Sequence, residues 1–168
     1  MAEGLQIKVQ ASNDYLRIDK YTDGKGLRYL ENIASNKILQ RQAKEIGELI
    51  RLSIEENLIK GKRFDTGGKV AKLKPSTIKK KGHSRVFDDT GKLLKSVKLK
   101  KLGRGYVIFI DGVRTVGKKK KHTISNAEIM KYLQEGSPKM AARPAFGINQ
   151  TKLQKIIRSV IGKTKKLK

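Results

Sequence analysis

The chain has 168 residues, 37% of them hydrophobic, and sets 40 Lys and Arg against 15 Asp and Glu, a formal charge of +25. That length suits one domain with a modest core, and that charge disfavours an isolated compact monomer and calls for a polyanionic or acidic partner, nucleic acid foremost. The absence of cysteine excludes disulfides and thiolate metal sites, no apolar run approaches the roughly 20 residues of a membrane span, and Met1-Ala2-Glu3-Gly4 opens nothing like a secretory signal.

Residues 5–9 alternate apolar and polar, which predicts a half-buried strand. Tyr15-Leu16-Arg17-Ile18 reads as a second strand or an extended arm, and Asp23-Gly24-Lys25-Gly26 as a turn. A long helix is expected from about Leu27 to Lys60. Leu39, Ala43, Ile46, Ile50, Ile54 and Leu58 form its apolar stripe, Leu27, Leu30 and Ile33 extend it at the front, and Gly61 ends it. Such a helix would span on the order of 50 Å, too long for one face of a small domain, so part of it should project or bend.

Residues 61–74 read as a loop, and Pro75 suits the first turn of a short helix through Lys81. Thr90 is placed to cap another short helix over Leu93, Leu94 and Val97. Val97–Lys100 and Tyr106–Ile110 then predict a β-hairpin about the turn at 102–105. Lys118–Lys121 is a basic run in a loop. Ser125 or Asn126 caps a helix over Ile129, Met130 and Leu133, which Gly136 and Pro138 end. A last amphipathic helix covers 148–161, and Lys163–Lys168 form a basic tail. The expected fold is α+β: a small antiparallel sheet with a β-hairpin, packed by one long helix and several short ones. Residues 1–162 are expected to form one domain, with 163–168 as its basic C-terminal tail.

Candidate chemistry is sparse. Asp65-Thr66-Gly67 and Asp89-Thr90-Gly91 repeat the tripeptide of aspartic proteases, whose two carboxylates share a proton. The copies stand too close in sequence for two lobes, and neither follows an apolar strand, so a turn and a helix cap are expected instead. His83 and His122 sit in basic loops without acidic or Cys neighbours at metal spacing and read as surface residues. No catalytic set, no metal site and no cofactor is expected, so the chain reads as a non-enzyme.

The strongest physical signal is basic. Lys79–Lys81, Lys98–Lys101, Lys118–Lys121 and Lys163–Lys168 are either solvated loops or contacts to DNA phosphates. Binding by lysine alone would be non-specific, because point charges steer a backbone without reading sequence. The lack of Trp and the few aromatics argue against a single-strand reader built from stacked rings. Lys118, Lys119, Lys120 and Lys121 are the residues expected to face DNA or an acidic partner.

Three short motifs occur in a telling order: Leu73-Lys74-Pro75-Ser76-Thr77, then Asp89-Thr90-Gly91 with Leu93 and Ser96, then Ala142-Arg143-Pro144 with Phe146 and Gly147. With the long helix before them, the hairpin and Gly136 between them and a terminal helix after, they resemble the virion-morphogenesis, or tail-completion, family of tailed bacteriophages over about residues 27–162. The chain departs from the usual pattern at Val70-Ala71-Lys72, where an aromatic is common, and at Ala145, which separates Arg143-Pro144 from Phe146. The resemblance implies a structural protein of the neck or tail end, used in tail completion or head–tail joining. It would be a homo-oligomeric ring on the tail axis through which DNA passes, six-fold by the family's place on that axis. Partners would be the connector or stopper and the tail terminator or tail tube, with non-specific contact to packaged DNA. Location would be the virion, after assembly in the bacterial cytoplasm. Pro75, Asp89, Thr90, Gly91, Arg143, Pro144 and Phe146 would be structural or interface residues, with Arg143 free to pair with an acidic neighbour. The alternative is a basic, non-specific nucleic-acid-binding protein of ribosomal or chromosomal type.

Overall fold

The computed structural model describes residues 6–11, 15–21, 27–32, 36–87, 91–103, 105–116, 122–138 and 140–165. These form an α+β fold whose chain gathers into two compact units. One is built from described residues within 5–53, 98–109 and 148–168, the other from those within 54–97 and 110–147.

The first unit carries a five-stranded sheet in the order β3-β2-β1-β5-β4. Its strands are β1 (Gln6–Ala11), β2 (Tyr15–Tyr21), β3 (Leu27–Asn32), β4 (Val97–Leu102) and β5 (Gly105–Ile110). β1 lies at the centre and pairs antiparallel with both neighbours, Val9 standing opposite Ile18 on β2 and Tyr106 on β5. β4 and β5 are adjacent and joined only through residues 103–104. So short a connection requires them to run antiparallel, as the predicted hairpin does.

Helix α1 (Asn36–Lys60) starts later than its apolar spacing suggested. Leu27 to Asn32 is a strand paired with β2, Tyr29 opposite Ile18 and Leu30 opposite Arg17. Leu27 and Leu30 fit a helical step, but a neighbouring strand that accepts a full ladder outweighs so short a periodic hint, and an aromatic such as Tyr29 suits the pleat. The 25-residue helix spans about 37 Å at 1.5 Å per residue. In this unit it buries Ala43, Ile46 and Ile50 on one face, at i, i+3 and i+7. Gly47 lies on the same face, where a Cβ would come within 3.0 Å of Leu99 Cδ1 on β4. Helix α4 (Gln150–Lys165) buries Leu153, Ile157 and Val160, the same stripe logic. It runs through Lys165, so the start of the expected basic tail continues the helix, and residues 166–168 lie outside the described residues.

The second unit contains the end of α1, where Ile54 and Leu58 are buried. Helix α2 spans Pro75–Lys81, with Pro in its first turn and Gly82 closing it in the left-handed conformation at φ 76°. Strands β6 (Val113–Val116) and β7 (His122–Ser125) pair antiparallel, Val113 opposite Ser125. The sequence reading missed this two-stranded sheet, because four-residue strands beside a lysine run carry too little alternation to register. Helix α3 spans Asn126–Glu135. Leu94–Ser96 is a single 3₁₀ turn rather than the predicted helix, since Val97 already begins β4. Thr90, its expected cap, lies outside the described residues, as do Asp89 and Lys118, Lys119, Lys120 and Lys121. Among the described residues no helix is long and apolar enough to cross a membrane.

Of the two caps the sequence allows for α3, Ser125 or Asn126, the structure uses Ser125. Its hydroxyl accepts from the Glu128 amide at 3.1 Å, and the Glu128 carboxylate accepts from the Ser125 amide at 3.0 Å. Ser125→Ala removes one half of this box. It should cost about 1 kcal/mol in urea denaturation, and an unchanged midpoint would show that the cap does not limit the fold.

Candidate functional site

The second unit is organised around the segment that follows α3. Gly136 closes α3 with its amide donated to Tyr132 O at 2.9 Å and with φ at 79°. The returning chain passes so near that a Cβ on Gly136 would lie 2.7 Å from Ala142 N and 2.8 Å from Met140 O. Only glycine fits that turn. The Arg143 amide then donates to Leu133 O at 2.7 Å, laying the segment along α3.

Arg143 is 5% exposed. Its Nε donates to Ala71 O at 2.9 Å and its Nη2 to Lys72 O at 3.2 Å. A planar fork is the side chain suited to two adjacent carbonyls. It ties the chain after α3 to the chain before α2, 71 and 72 residues apart in sequence. The Phe64 amide donates to Pro144 O at 2.9 Å, and the Phe146 amide donates to Gln134 Oε1 at 3.1 Å. Phe146 itself is 1% exposed. Gly147 faces the Phe64 ring so closely that a Cβ would sit 2.7 Å from Phe64 Cγ. Arg143 and residues 145–147 are therefore buried, with Pro144 half-buried and Ala142 exposed, and Arg143 is not free for an acidic neighbour as expected. Desolvation lowers the pKa of its guanidinium, though an arginine remains charged.

By fixing residues 71 and 72, Arg143 places the start of α2 on the wall of a cleft of about 550 Å³. Lys72, Lys74, Lys80 and Lys81 line it from this side, and Leu73 and Thr77 stand among them. Phe87 and Leu93 line it from the loop beyond α2, and Ile129 and Leu133 from α3. Arg114 on β6 and Arg143 complete the cationic lining, which includes no acidic residue among the described residues. Arg114 is held rigidly: Nε and Nη2 both donate to Asn126 Oδ1, at 3.0 and 2.9 Å, while Asn126 Nδ2 donates to Asp111 O at 2.8 Å. Lys81 Nζ donates to Arg85 O at 3.0 Å.

The three sequence motifs thus meet at one place. Leu73, Lys74 and Thr77 of the first, Leu93 of the second and Arg143 of the third all line the cleft. Pro75 starts α2 beside it, and Gly91 begins the turn to Leu93, its carbonyl accepting from the Lys95 amide at 3.2 Å. Pro144 and Phe146 follow Arg143 in the same segment. Arg114 is the member that sequence reasoning missed. Its only signal was a lone cation four residues before a lysine run, and the strand pairing that aims it was not visible.

Asp65 stands apart from the cleft, in a turn. Its carboxylate accepts from Arg63 Nε at 3.0 Å and Nη2 at 2.7 Å, and from the Thr66 amide at 2.7 Å. The first Asp-Thr-Gly is thus a stitched turn with its Asp committed to an ion pair. His83 is half-buried rather than fully on the surface, with Nδ1 enclosed and without a hydrogen-bond partner among the described residues. Among the described residues no group of three His, Cys, Asp or Glu comes together as a metal site. Comparison with known proteins places no relative beside the chain: no family model, no curated protein and no solved structure matches it.

Two outcomes follow from this geometry. Arg143→Met leaves the Ala71 and Lys72 carbonyls without these donors and should cost about 1–3 kcal/mol, with Arg143→Lys intermediate because an ammonium cannot fork. Denaturation curves for the three proteins test the order, and a lysine variant as stable as the parent would refute the role of the fork. The Arg63 guanidinium, followed by the Thr66 amide, lowers the Asp65 carboxyl from 3.8 to about 2. A depressed carboxyl stabilises the fold above its unfolded pKa and loses that contribution as pH falls through the folded one. Asp65→Asn should therefore lose at most about 0.5 kcal/mol at neutral pH, an exposed pair being screened by solvent. The gap to the parent should close between pH 4 and 2, and a gap that persists below pH 2 would assign the loss to something other than this charge.

Proposed function

We propose that the chain is a structural protein of the neck or tail end of a tailed-bacteriophage particle, acting in tail completion or head–tail joining as an axial ring through which DNA passes. The observation that carries this is the convergence of the three family-like motifs on one cleft of the second unit. Short matches scattered by chance along a lysine-rich chain have no reason to line a common surface. The engaged polar groups also fit a structural part: Arg143 and Asp65 hold the chain together rather than standing poised over a substrate. The protein is a non-enzyme in this role. Its partners are further copies of itself, six by the family's position, together with the connector or stopper and the tail terminator or tail tube. Its location is the virion.

The charge of +25 suits a subunit that stays monomeric until an acidic neighbour or DNA offsets it. Lys118–Lys121 supply the non-specific contact to DNA phosphates in this role, and as a run of like charge they gain little by ordering alone.

Electron cryo-microscopy of the particle that carries the chain should find a closed ring of copies on the tail axis, and one or two copies off the axis would overturn the proposal. Replacing Lys118, Lys119, Lys120 and Lys121 by Gln should weaken DNA retention or neck joining. It should also flatten the slope of log affinity against log salt for duplex DNA by up to about 3.6, near 0.9 for each phosphate no longer neutralised. Normal assembly with an unchanged slope would reduce the run to a solvated loop. Tight DNA binding by a protein never found in particles would favour the ribosomal or chromosomal alternative.

A further inference from the structure

The cleft beside α2 combines two chemistries that neither a solvated lysine face nor a phosphate groove requires. Lys72, Lys74 and Lys80 are exposed on its rim and have no ion-pair partner among the described residues. Between them and the opposite wall, Leu73, Ile129, Leu133 and Met140 are only half-buried and keep apolar surface towards the space. Arg114 and Arg143 add fixed positive charge from walls that cannot swing away, since each guanidinium is anchored by two hydrogen bonds.

A nucleic acid fits this poorly. Phe87 is the sole aromatic among the lining residues and is 3% exposed, which leaves no ring face for a base to stack on. A duplex backbone would gain nothing from the apolar floor. The volume of about 550 Å³ lies within the roughly 300–1,000 Å³ typical of clefts that enclose small ligands or a few side chains. The complementary occupant has carboxylates for the rim and aliphatic or aromatic side chains for the floor.

We propose that this cleft docks a short segment of a partner protein in which Asp and Glu are interspersed with large apolar residues. The apolar side chains enter between α2 and α3, and the carboxylates pair with Lys72, Lys74 and Lys80. Burial of the floor supplies affinity, and the cationic lining favours acidic over basic segments. This does not depend on the neck proposal, because it rests on the lining alone.

The test uses the full chain and fluorescence anisotropy at about 0.3 M salt, where long-range attraction to a highly charged protein is largely screened. The probe is a labelled peptide of about 12 residues mixing Asp and Glu with Leu and Phe, long enough to lie in a groove. Controls are the same peptide with Leu and Phe replaced by Ser, and an oligothymidylate of matched charge. The mixed peptide should bind at least tenfold more tightly than either control. Changing Lys72, Lys74 and Lys80 together to Ser should weaken it about fivefold, since three exposed pairs each contribute modestly. Lys98→Ser, Lys100→Ser and Lys101→Ser together, equally exposed but on β4, should change it less than twofold. Equal binding of the Ser-substituted peptide, equal binding of the oligothymidylate, or equal loss from both triple variants would overturn the proposal.

Discussion

The buried guanidinium of Arg143 is the constraint on which the second unit depends. A charged group placed at 5% exposure is tolerated only with hydrogen-bond partners, and here these are the carbonyls of Ala71 and Lys72. The contact fixes the last residues of the loop before α2, whose earlier part is held by the Lys62–Lys69 bridge and the Val70 amide on Gly61 O. That entry leads into the wall of the cleft formed by Lys72, Leu73, Lys74, Thr77 and Lys80, whereas Arg114 is placed by β6 and Asn126. The neighbours of Arg143 do the same work in smaller steps. Pro144 takes the Phe64 amide, Phe146 fills the interior, and Gly147 allows the Phe64 ring to lie against the backbone.

Charge is distributed with a purpose that the total of +25 conceals. Some cations are structural. Arg143 and Arg114 hold backbone and side-chain oxygens, Arg63 pairs with Asp65, and Lys60 pairs with Glu56 one helical turn away at 2.7 Å. Pairs of the exposed kind contribute little to stability. The lysines at the cleft rim are of another sort, exposed and lining the same space as Leu73, Ile129 and Leu133. A lysine-rich chain can therefore stabilise itself with one subset of its cations while presenting another to a partner.

The doubled Asp-Thr-Gly illustrates how weak a tripeptide is without its setting. At 65–67 it forms a tight turn in which the Gly67 amide donates to Arg63 O at 3.1 Å and the Asp carboxylate is held by Arg63 and the Thr66 amide. An acid with its lone pairs so occupied and its pKa depressed is a poor general acid or base near neutral pH. The same residues serve a fold wherever a sharp turn needs a side-chain acceptor and a glycine.

Local chemistry was legible in the residues themselves. The apolar stripe from Ala43 to Leu58, Pro75 opening α2, the Ser125–Glu128 box and the alternation of 106–110 each encode their element within a few residues, so the sequence alone determined the α+β class and most of its helices. Where two local readings competed, only tertiary structure decided. Leu27–Asn32 became a strand because β2 offered a ladder, and β6 and β7 formed although neither carries enough alternation to announce itself. The role of Arg143 was of the same kind. Its acceptors lie 71 and 72 residues away, and no spacing rule reaches that far. The cleft, built from residues between Lys72 and Arg143, exists only once those distant segments are packed together. A hydrogen bond between remote segments is specified by the whole fold and by no single stretch of it.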